Sequence, residues 1–137
     1  MANRKWRSDV MSSTANHQKK ILVVDDALII RKMIIDLAKE CGWEIAGEAK
    51  DGQEACEIYS NQKPDLVTMD MVMPNMNGLE ALKKIREIDP NARVIMISAV
   101  NQKDKLMESI EAGASDFIVK PFDKTRLKAL LGKILSE

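Results

Sequence analysis

The sequence predicts one doubly wound α/β domain, in which five parallel strands alternate with five helices that cover both faces of the sheet. The first observation is that short apolar runs alternate with amphipathic segments from Lys19 to the end of the chain, a pattern typical of parallel βαβ units. The second is the length of 137 residues, which suits one ordinary domain. The last predicted helix uses up the chain, so we expect no second domain within these residues.

The first half of the domain is predicted to contain two strands and two helices. "KILVVDD", which starts at Lys19, is typical of a short buried strand that ends in two acids. Residues Ala27 to Cys41 repeat apolar side chains at helical spacing, and Gly42 is a helix stop. "WEIAGEA" predicts a more polar strand at an edge of the sheet, and Gly52 to about Asn61 predicts the second helix.

The second half is predicted to contain three strands and three helices. "DLVTMD" predicts the third strand, and the turn residues from Pro74 to Gly78 separate it from a helix that ends at Asp89-Pro90. "RVIMIS" predicts the fourth strand, and Lys103 to Ala112 predicts the fourth helix. "SDFIVK" predicts the fifth strand, and Asp123 is expected to cap the last helix. The inner side of the fourth helix is expected to carry Leu106, Met107 and Ile110.

Composition and charge argue against several classes of protein. Apolar residues make up 45% and charged residues 31% of the chain, which is the balance of a soluble globular protein. Basic and acidic residues both number 21, so the net charge gives no basis for binding nucleic acid or an acidic membrane. The chain has no apolar run of membrane-spanning length and no secretory signal at its start. We therefore expect a cytoplasmic protein, with Cys41 and Cys56 as reduced thiols.

The segment from Met1 to Gln18 differs in character from the rest of the chain. It shows no hydrophobic periodicity and carries few side chains that would pack, so we expect a mobile tail ahead of a domain at 19–137. The single histidine, His17, lies in this tail. Its position argues against an active site that depends on histidine.

Polar residues stand at the carboxyl ends of four predicted strands: Asp25 and Asp26, then Asp70, Ser98 and Lys120. Because the strands are parallel, these ends lie along one edge of the sheet, where ligands bind in open α/β folds. Polar strand ends and helix-capping acids are common, but five such residues together favour a functional site. Two carboxylates ~4 Å apart repel by about 4 kcal/mol at an effective dielectric near 20. A proton or a hard cation relieves that repulsion, and Mg²⁺ prefers oxygen ligands.

Asp70 ends an apolar run within "PDLVTMDMVMP", although an ionised aspartate is costly to bury without a partner. A cation and Lys120 beside it make the carboxylate an acceptable nucleophile, and aspartates are known to form aspartyl phosphates. The same positive charges neutralise the phosphoryl oxygens during transfer. The sequence therefore predicts that Asp70 accepts a phosphoryl group.

The motifs "ILVVDD", "PDLVTMDMVMPNMNG", "VIMISA" and "AGASDFIVKPF" resemble the receiver domain of two-component response regulators across nearly all of residues 19–137. The resemblance is greatest to single-domain, CheY-type chemotaxis regulators. It implies a flavodoxin-like sheet with strand order 2-1-3-4-5, and a phosphorylation-activated signalling switch rather than a turnover enzyme. The implied partners are a histidine kinase as phosphodonor, a flagellar switch protein or another protein target, and a phosphatase.

The resemblance also implies a role for each matching residue near the acids. Asp70 is the phosphoacceptor, and the Mg²⁺ ligands are Asp25, Asp26, Asp70 and the backbone carbonyl of Val72. Asp26 is expected to bind the ion directly and Asp25 through water. An apolar Val72 departs from the commonest chemotaxis pattern, since its side chain does not orient a hydrolytic water.

A second group of matching residues is implied to carry the switch. Lys120 pairs with the phosphoryl oxygens, and Lys120-Pro121 is expected to be a cis peptide bond. Ser98 turns its hydroxyl toward the phosphoryl group, and Phe117, where a tyrosine is common, moves inward with it. These movements are expected to change the face formed by the fourth helix, the fifth strand and the last helix, by biasing an existing two-state equilibrium.

Four other hypotheses remain open at this point. The first hypothesis is a phosphorelay carrier that passes phosphate to a histidine phosphotransferase. The second is a Mg²⁺-dependent aspartyl phosphohydrolase. Such hydrolases usually carry a second aspartate where Val72 stands here. The third hypothesis is a nucleotide- or flavin-binding module, although neither G-x-G-x-x-G nor G-x-x-x-x-G-K-[ST] follows any predicted strand. The fourth is a structural adaptor whose acids are never phosphorylated.

Overall fold

The computed structural model describes residues 18–99, 101 and 103–137. Five strands and five helices alternate in this part of the chain, as the sequence predicts. The strands are β1 Lys20–Val24, β2 Glu44–Ala49, β3 Leu66–Asp70, β4 Val94–Ala99 and β5 Asp116–Lys120. The helices are α1 Leu28–Cys41, α2 Gly52–Gln62, α3 Gly78–Ile88, α4 Lys103–Glu111 and α5 Lys124–Leu135. Apart from Gln18, the predicted tail lies outside the described residues.

The strands form one sheet in the order β2-β1-β3-β4-β5, and all four neighbouring pairs are parallel. This order confirms the one that the family resemblance implies, and β2 lies at an edge as its polar sequence predicts. Since all strands run the same way, their carboxyl ends lie along one edge of the sheet. The predicted site residues are therefore on the same side of the molecule.

Each face of the sheet is covered by its own layer of apolar side chains, because successive residues of a strand point to opposite faces. Ile21 and Val23 of β1 pack with α1 and α5, while Leu22 and Val24 pack with α2, α3 and α4. Trp43 belongs to the first layer, and its ring N–H donates to the Leu131 carbonyl over 3.0 Å. Two cores thus hold the central strands rigidly between helices.

Helix ends follow the local signals in the sequence. Gly42 ends α1 in the left-handed conformation with φ 109°, which glycine adopts without steric cost. The Asp123 side chain caps α5 by accepting from the Thr125 amide, as predicted. Asn77 and Glu80 form a reciprocal capping box at the start of α3. These residues fix where α1 ends and where α3 and α5 begin.

The predicted inner side of α4 is wrong for two of its three residues. Leu106 is buried, but Met107 is 61% and Ile110 40% exposed, while Ser109 is buried instead. The reason is that α4 packs against α3 and β4, so only a narrow stripe through Leu106 and Ser109 faces the protein. The two exposed apolar side chains lie beside β5 rather than under the helix.

Two further expectations concern the chemistry of the chain. Cys41 and Cys56 are free and half-buried, and their reduced state stays a prediction. Among the described residues, no helix is both long and apolar enough to cross a membrane.

Candidate functional site

Three acids meet at the carboxyl ends of β1 and β3. Asp25 follows β1 and is fully buried, Asp26 is exposed, and Asp70 is the last residue of β3 and 6% exposed. One carboxylate oxygen of each acid lies within 4.8 Å of the other two. The sheet thus brings together the three carboxylates that the sequence places at strand ends.

Lys120 is the cation of this site. Its Nζ donates to Asp25 Oδ2 over 3.0 Å and to Asp70 Oδ1 over 3.2 Å. The lysine is the last residue of β5, and the peptide bond that joins it to Pro121 is cis. This ammonium group pairs with two of the three carboxylates, so the pocket keeps an excess of negative charge.

Burial and charge shift the protonation of these groups. Burial, followed by the nearby charge of Asp25, raises the pKa of Asp70 to about 6, although Lys120 opposes the rise. Burial acts to lower the pKa of Lys120, but the hydrogen bond that Lys120 donates to Asp25 and the charges of Asp70 and Asp25 outweigh it and raise that pKa above its usual range. The lysine is therefore protonated at neutral pH, and an ionised Asp70 is held at a cost in free energy.

Hydrogen bonds fix Asp25 in the pocket. Its Oδ1 accepts from the Ala27 amide over 2.9 Å, and its own amide donates to the Ala49 carbonyl of β2 over 3.0 Å. Arg31, one turn into α1, donates to the Asp25 carbonyl over 2.8 Å and also pairs with Glu48. Arg31 is a site residue that was not predicted; its only signal in the sequence is a basic residue in the first turn of the helix that follows the acids.

Ser98, Phe117 and Val72 are the remaining residues with a predicted role. The Ser98 side chain is 1% exposed, and its hydroxyl has no hydrogen-bond partner among the described residues. Phe117 is half-buried and packs against the core formed with α2, α3 and α4. Val72 is 59% exposed. The roles assigned to these three residues remain predictions at this stage.

A pocket with three carboxylates and a lysine at the carboxyl edge of a 2-1-3-4-5 sheet is the arrangement expected of a phosphoacceptor signalling domain. The sequence profile of the response regulator receiver domain matches residues 21–132. The chain therefore belongs to the response regulator receiver domain family. Within that family it is a receiver of the CheY type, a phosphorylation-activated signalling switch of chemotaxis.

Similar proteins support this placement over most of the chain. The chemotaxis protein CheY of Thermotoga maritima is 51% identical over 116 residues, which cover 85% of this chain and 97% of that protein. CheY of Bacillus subtilis is 48% identical over 117 residues, with 85% and 98% coverage. The crystal structure of the CheX-CheY-BeF3-Mg²⁺ complex from Borrelia burgdorferi contains a chain that is 36% identical, with a TM-score of 0.80 and coverage of 90% of this chain and 92% of that one.

Proposed function

We propose that Asp70 accepts a phosphoryl group from a phosphohistidine of a histidine kinase, and that the phosphorylated chain then binds a chemotaxis target. The observation that carries the proposal is the geometry around Asp70. Its buried carboxylate lies beside the Lys120 ammonium and within reach of a cation shared with Asp25 and Asp26. Phosphoryl transfer is the reaction class of the family, and the pocket contains the residues that this reaction needs.

The three carboxylates fit Mg²⁺. They offer only oxygen ligands, one from each acid and all within 4.8 Å of one another, and Mg²⁺ is bound in this way through one or two carboxylates and water. Burial, and after it the charge of Asp25, raises the pKa of Asp70, so a further positive charge in the pocket would favour the ionised carboxylate. When bound, Mg²⁺ neutralises the carboxylates and the phosphoryl oxygens. We assign its protein ligands as Asp26 and Asp70, the Val72 backbone carbonyl, and Asp25 through water.

In the transfer step, a carboxylate oxygen of Asp70 forms a bond to phosphorus while the P–N bond of the donor breaks. The donor imidazole is protonated on its other ring nitrogen, so it takes the electron pair of that bond and leaves as neutral imidazole. Lys120 stays protonated throughout, because the pKa of its ammonium group is raised. The same ammonium moves from the Asp25 and Asp70 oxygens onto the new phosphoryl oxygens. The chain thus supplies position and charge and gains one phosphoryl group, without turnover.

Ser98 links the phosphoryl group to the rest of the protein. Its buried hydroxyl lacks a hydrogen-bond partner among the described residues, so a phosphoryl oxygen gives it one. Ser98 pairs in register with Val119 of β5, and Phe117 lies two residues away on the same strand. Movement of the hydroxyl toward the phosphoryl group therefore reaches β5 and the start of α4, and opens space into which Phe117 turns.

The surface that changes is the face formed by α4, β5 and α5. A cavity of about 370 Å³ lies between α4 and β5, and the exposed Met107 and Ile110 lie along it. An apolar rim of this kind suits a protein target better than a small ion. We assign this face to the output partner, a flagellar switch protein, and the open side of the acidic pocket to the kinase and to a phosphatase, all in the cytoplasm. The cavity lining is Ala99, Lys103, Leu106, Met107, Ile110, Phe117 and Val119.

Phosphorylation is tested by incubating the full chain with phosphoramidate and MgCl₂ and weighing the intact protein by mass spectrometry. We expect one phosphoryl group per wild-type chain, none on Asp70→Asn, and normal labelling of the control Asp36→Asn, which changes an exposed acid of α1. A wild-type chain that gains no phosphoryl group would show that the acids play a structural role. Release of many equivalents of phosphate per chain would show a phosphohydrolase instead.

The switch is tested by capturing partners with and without beryllofluoride, which mimics the phosphoryl group on Asp70. We expect binding of the purified target to become stronger with the mimic in the wild type and to respond much less in Phe117→Ala. Equal dependence on the mimic in both proteins would show that the signal does not pass through Phe117. Preferential capture of a histidine phosphotransferase would favour a phosphorelay carrier.

A further inference from the structure

The loop between β3 and α3 carries the Val72 carbonyl, and four hydrogen bonds hold it in place. The Met71 amide donates to the Ile97 carbonyl of β4, and the Gly78 amide closes the loop onto the Met71 carbonyl, both over 2.9 Å. On its far side the loop meets the start of α2, where the Gly52 amide donates to the Met76 carbonyl over 3.0 Å. The fourth contact is a side-chain bond at Asn75, described next.

Asn75 sits at a sharp and strained point of this loop. Its φ is 67°, and the Met76 amide donates to the Pro74 carbonyl over 2.7 Å around it. A three-residue turn with a positive φ at its centre is rare and strained. Strain of this kind persists where the surroundings fix the residue, and it concentrates at functional sites. The contacts that hold Asn75 therefore decide the course of the loop.

The Asn75 side chain is held by the carboxylate of Asp51, which lies at the start of α2. Asn75 Nδ2 donates to Asp51 Oδ2 over 2.9 Å, while Asp51 Oδ1 caps α2 by accepting from the Glu54 amide over 2.9 Å. Asp51 is 5% exposed. The bonds from the Glu54 amide and from Asn75 hold the pKa of Asp51 below its usual range, so the carboxylate is ionised and accepts both bonds at neutral pH.

We propose that Asp51 and Asn75 form a positioning pair, which holds the β3–α3 loop so that the Val72 carbonyl faces the cation of the acidic pocket. The inference rests on the proposed Mg²⁺ site and adds two residues that do not touch the ion. Asp51 fixes one end of the bond on the capped start of α2. At the other end of the bond, Asn75 lies at the centre of the strained turn, three residues after Val72.

Asn75→Asp separates positioning of the loop from simple electrostatics, because the two effects change the Mg²⁺ affinity in opposite directions. The variant has the same shape but loses the donor and places two carboxylates against each other. Its extra negative charge near an acidic pocket acts to strengthen Mg²⁺ binding by Coulomb attraction. A displaced loop acts to weaken it. The double variant Asp51→Asn/Asn75→Asp restores both the bond, with donor and acceptor exchanged, and the original net charge.

The test is a MgCl₂ titration of the full chain, followed by the amide chemical shifts in ¹H–¹⁵N NMR spectra. We expect Asn75→Asp to bind Mg²⁺ about 10-fold more weakly, the lower end of the loss seen when an outer-shell partner is removed. The double variant should return to within about 2-fold of the wild type, since the donor–acceptor pair is restored. Asn75→Gly, which keeps the positive φ without strain, should bind as weakly as Asn75→Asp while remaining folded.

Unchanged or tighter Mg²⁺ binding in Asn75→Asp and Asn75→Gly, beside normal binding in the wild type, would overturn the positioning pair alone. Failure of the double variant to recover in a folded protein would overturn it as well. A wild-type chain whose loop resonances do not respond to MgCl₂ would instead overturn the proposed metal site, and the positioning pair with it.

Discussion

Replacing Asp70 by asparagine should stabilise the metal-free protein at neutral and alkaline pH. The carboxylate is buried beside Asp25, and these two causes raise the pKa of Asp70 above its ordinary value of 3.8 to about 6. A raised pKa means that the folded state holds the proton more tightly than the unfolded state does. The ionised carboxylate is therefore a destabilising group above pH 6, and asparagine removes the charge while keeping the shape.

The magnitude follows from the linkage between proton binding and folding. The rise from 3.8 to about 6 corresponds to about 3 kcal/mol, since one pKa unit is worth about 1.4 kcal/mol. Between these two pH values the folded protein binds more protons than the unfolded chain, so its stability falls as the pH rises. The advantage of Asp70→Asn should thus be absent below about pH 4, grow between pH 4 and 6, and stay constant above that range.

The assay is urea denaturation of the full chain in EDTA, followed by far-UV circular dichroism across this pH range. Asp36→Asn is the matched control, because it removes an exposed carboxylate of α1 and should change the free energy of unfolding very little at any pH. MgCl₂ should reduce the difference in the free energy of unfolding between wild type and Asp70→Asn, because it neutralises the carboxylates of the wild type. A gain that is equal at pH 4 and pH 8, or absent at both, would refute the electrostatic argument.

The same denaturation assay tests three further substitutions. Gly113 has φ 106°, and a Cβ there would lie 2.7 Å from Arg86 Nε, so Gly113→Ala should destabilise by about 1–2 kcal/mol. Gly132→Ala is its counterpart, since nothing lies within 4 Å of that Cβ, and it should stabilise α5 by about 0.5–1 kcal/mol. Equal effects of the two would contradict the strain at Gly113. Thr68→Val should stabilise by about 1 kcal/mol, because the buried Thr68 hydroxyl has no hydrogen-bond partner among the described residues; a loss would reveal a partner for it.

Most of the fold could be predicted because its signals are local. Each buried strand is a short apolar run, and residues such as Gly42 and Asp123 mark helix ends through backbone conformation and capping. The convergence of the acids follows from parallel strands alone. The contacts of Lys120 with two of the acids could not be predicted in this way, because they depend on the arrangement of side chains and not on a periodic pattern.

What could not be predicted depends on contacts between distant segments. Met107 and Ile110 follow helical spacing with Leu106, yet they are exposed, because the side of α4 that is covered depends on where α3 and β4 lie. The Asp51–Asn75 bond joins residues that are 24 positions apart. The sequence predicts a helix that starts just after Asp51 and a turn that contains Asn75, and only the fold brings the two residues together.

The helices differ in how many side chains they bury, and this difference indicates which of them moves most easily. The helix α1 and its neighbour α5 bury apolar side chains against the centre of the sheet, including Ile34 and Leu127. By contrast, α4 buries only Leu106 and Ser109 among its described residues and leaves apolar side chains exposed. Elements with few buried contacts rearrange at the lowest cost in free energy. We therefore predict that a new charge on Asp70 displaces α4 and the adjoining part of β5 before it disturbs the strands that hold the acids, so that the pocket keeps its geometry while the proposed output face changes.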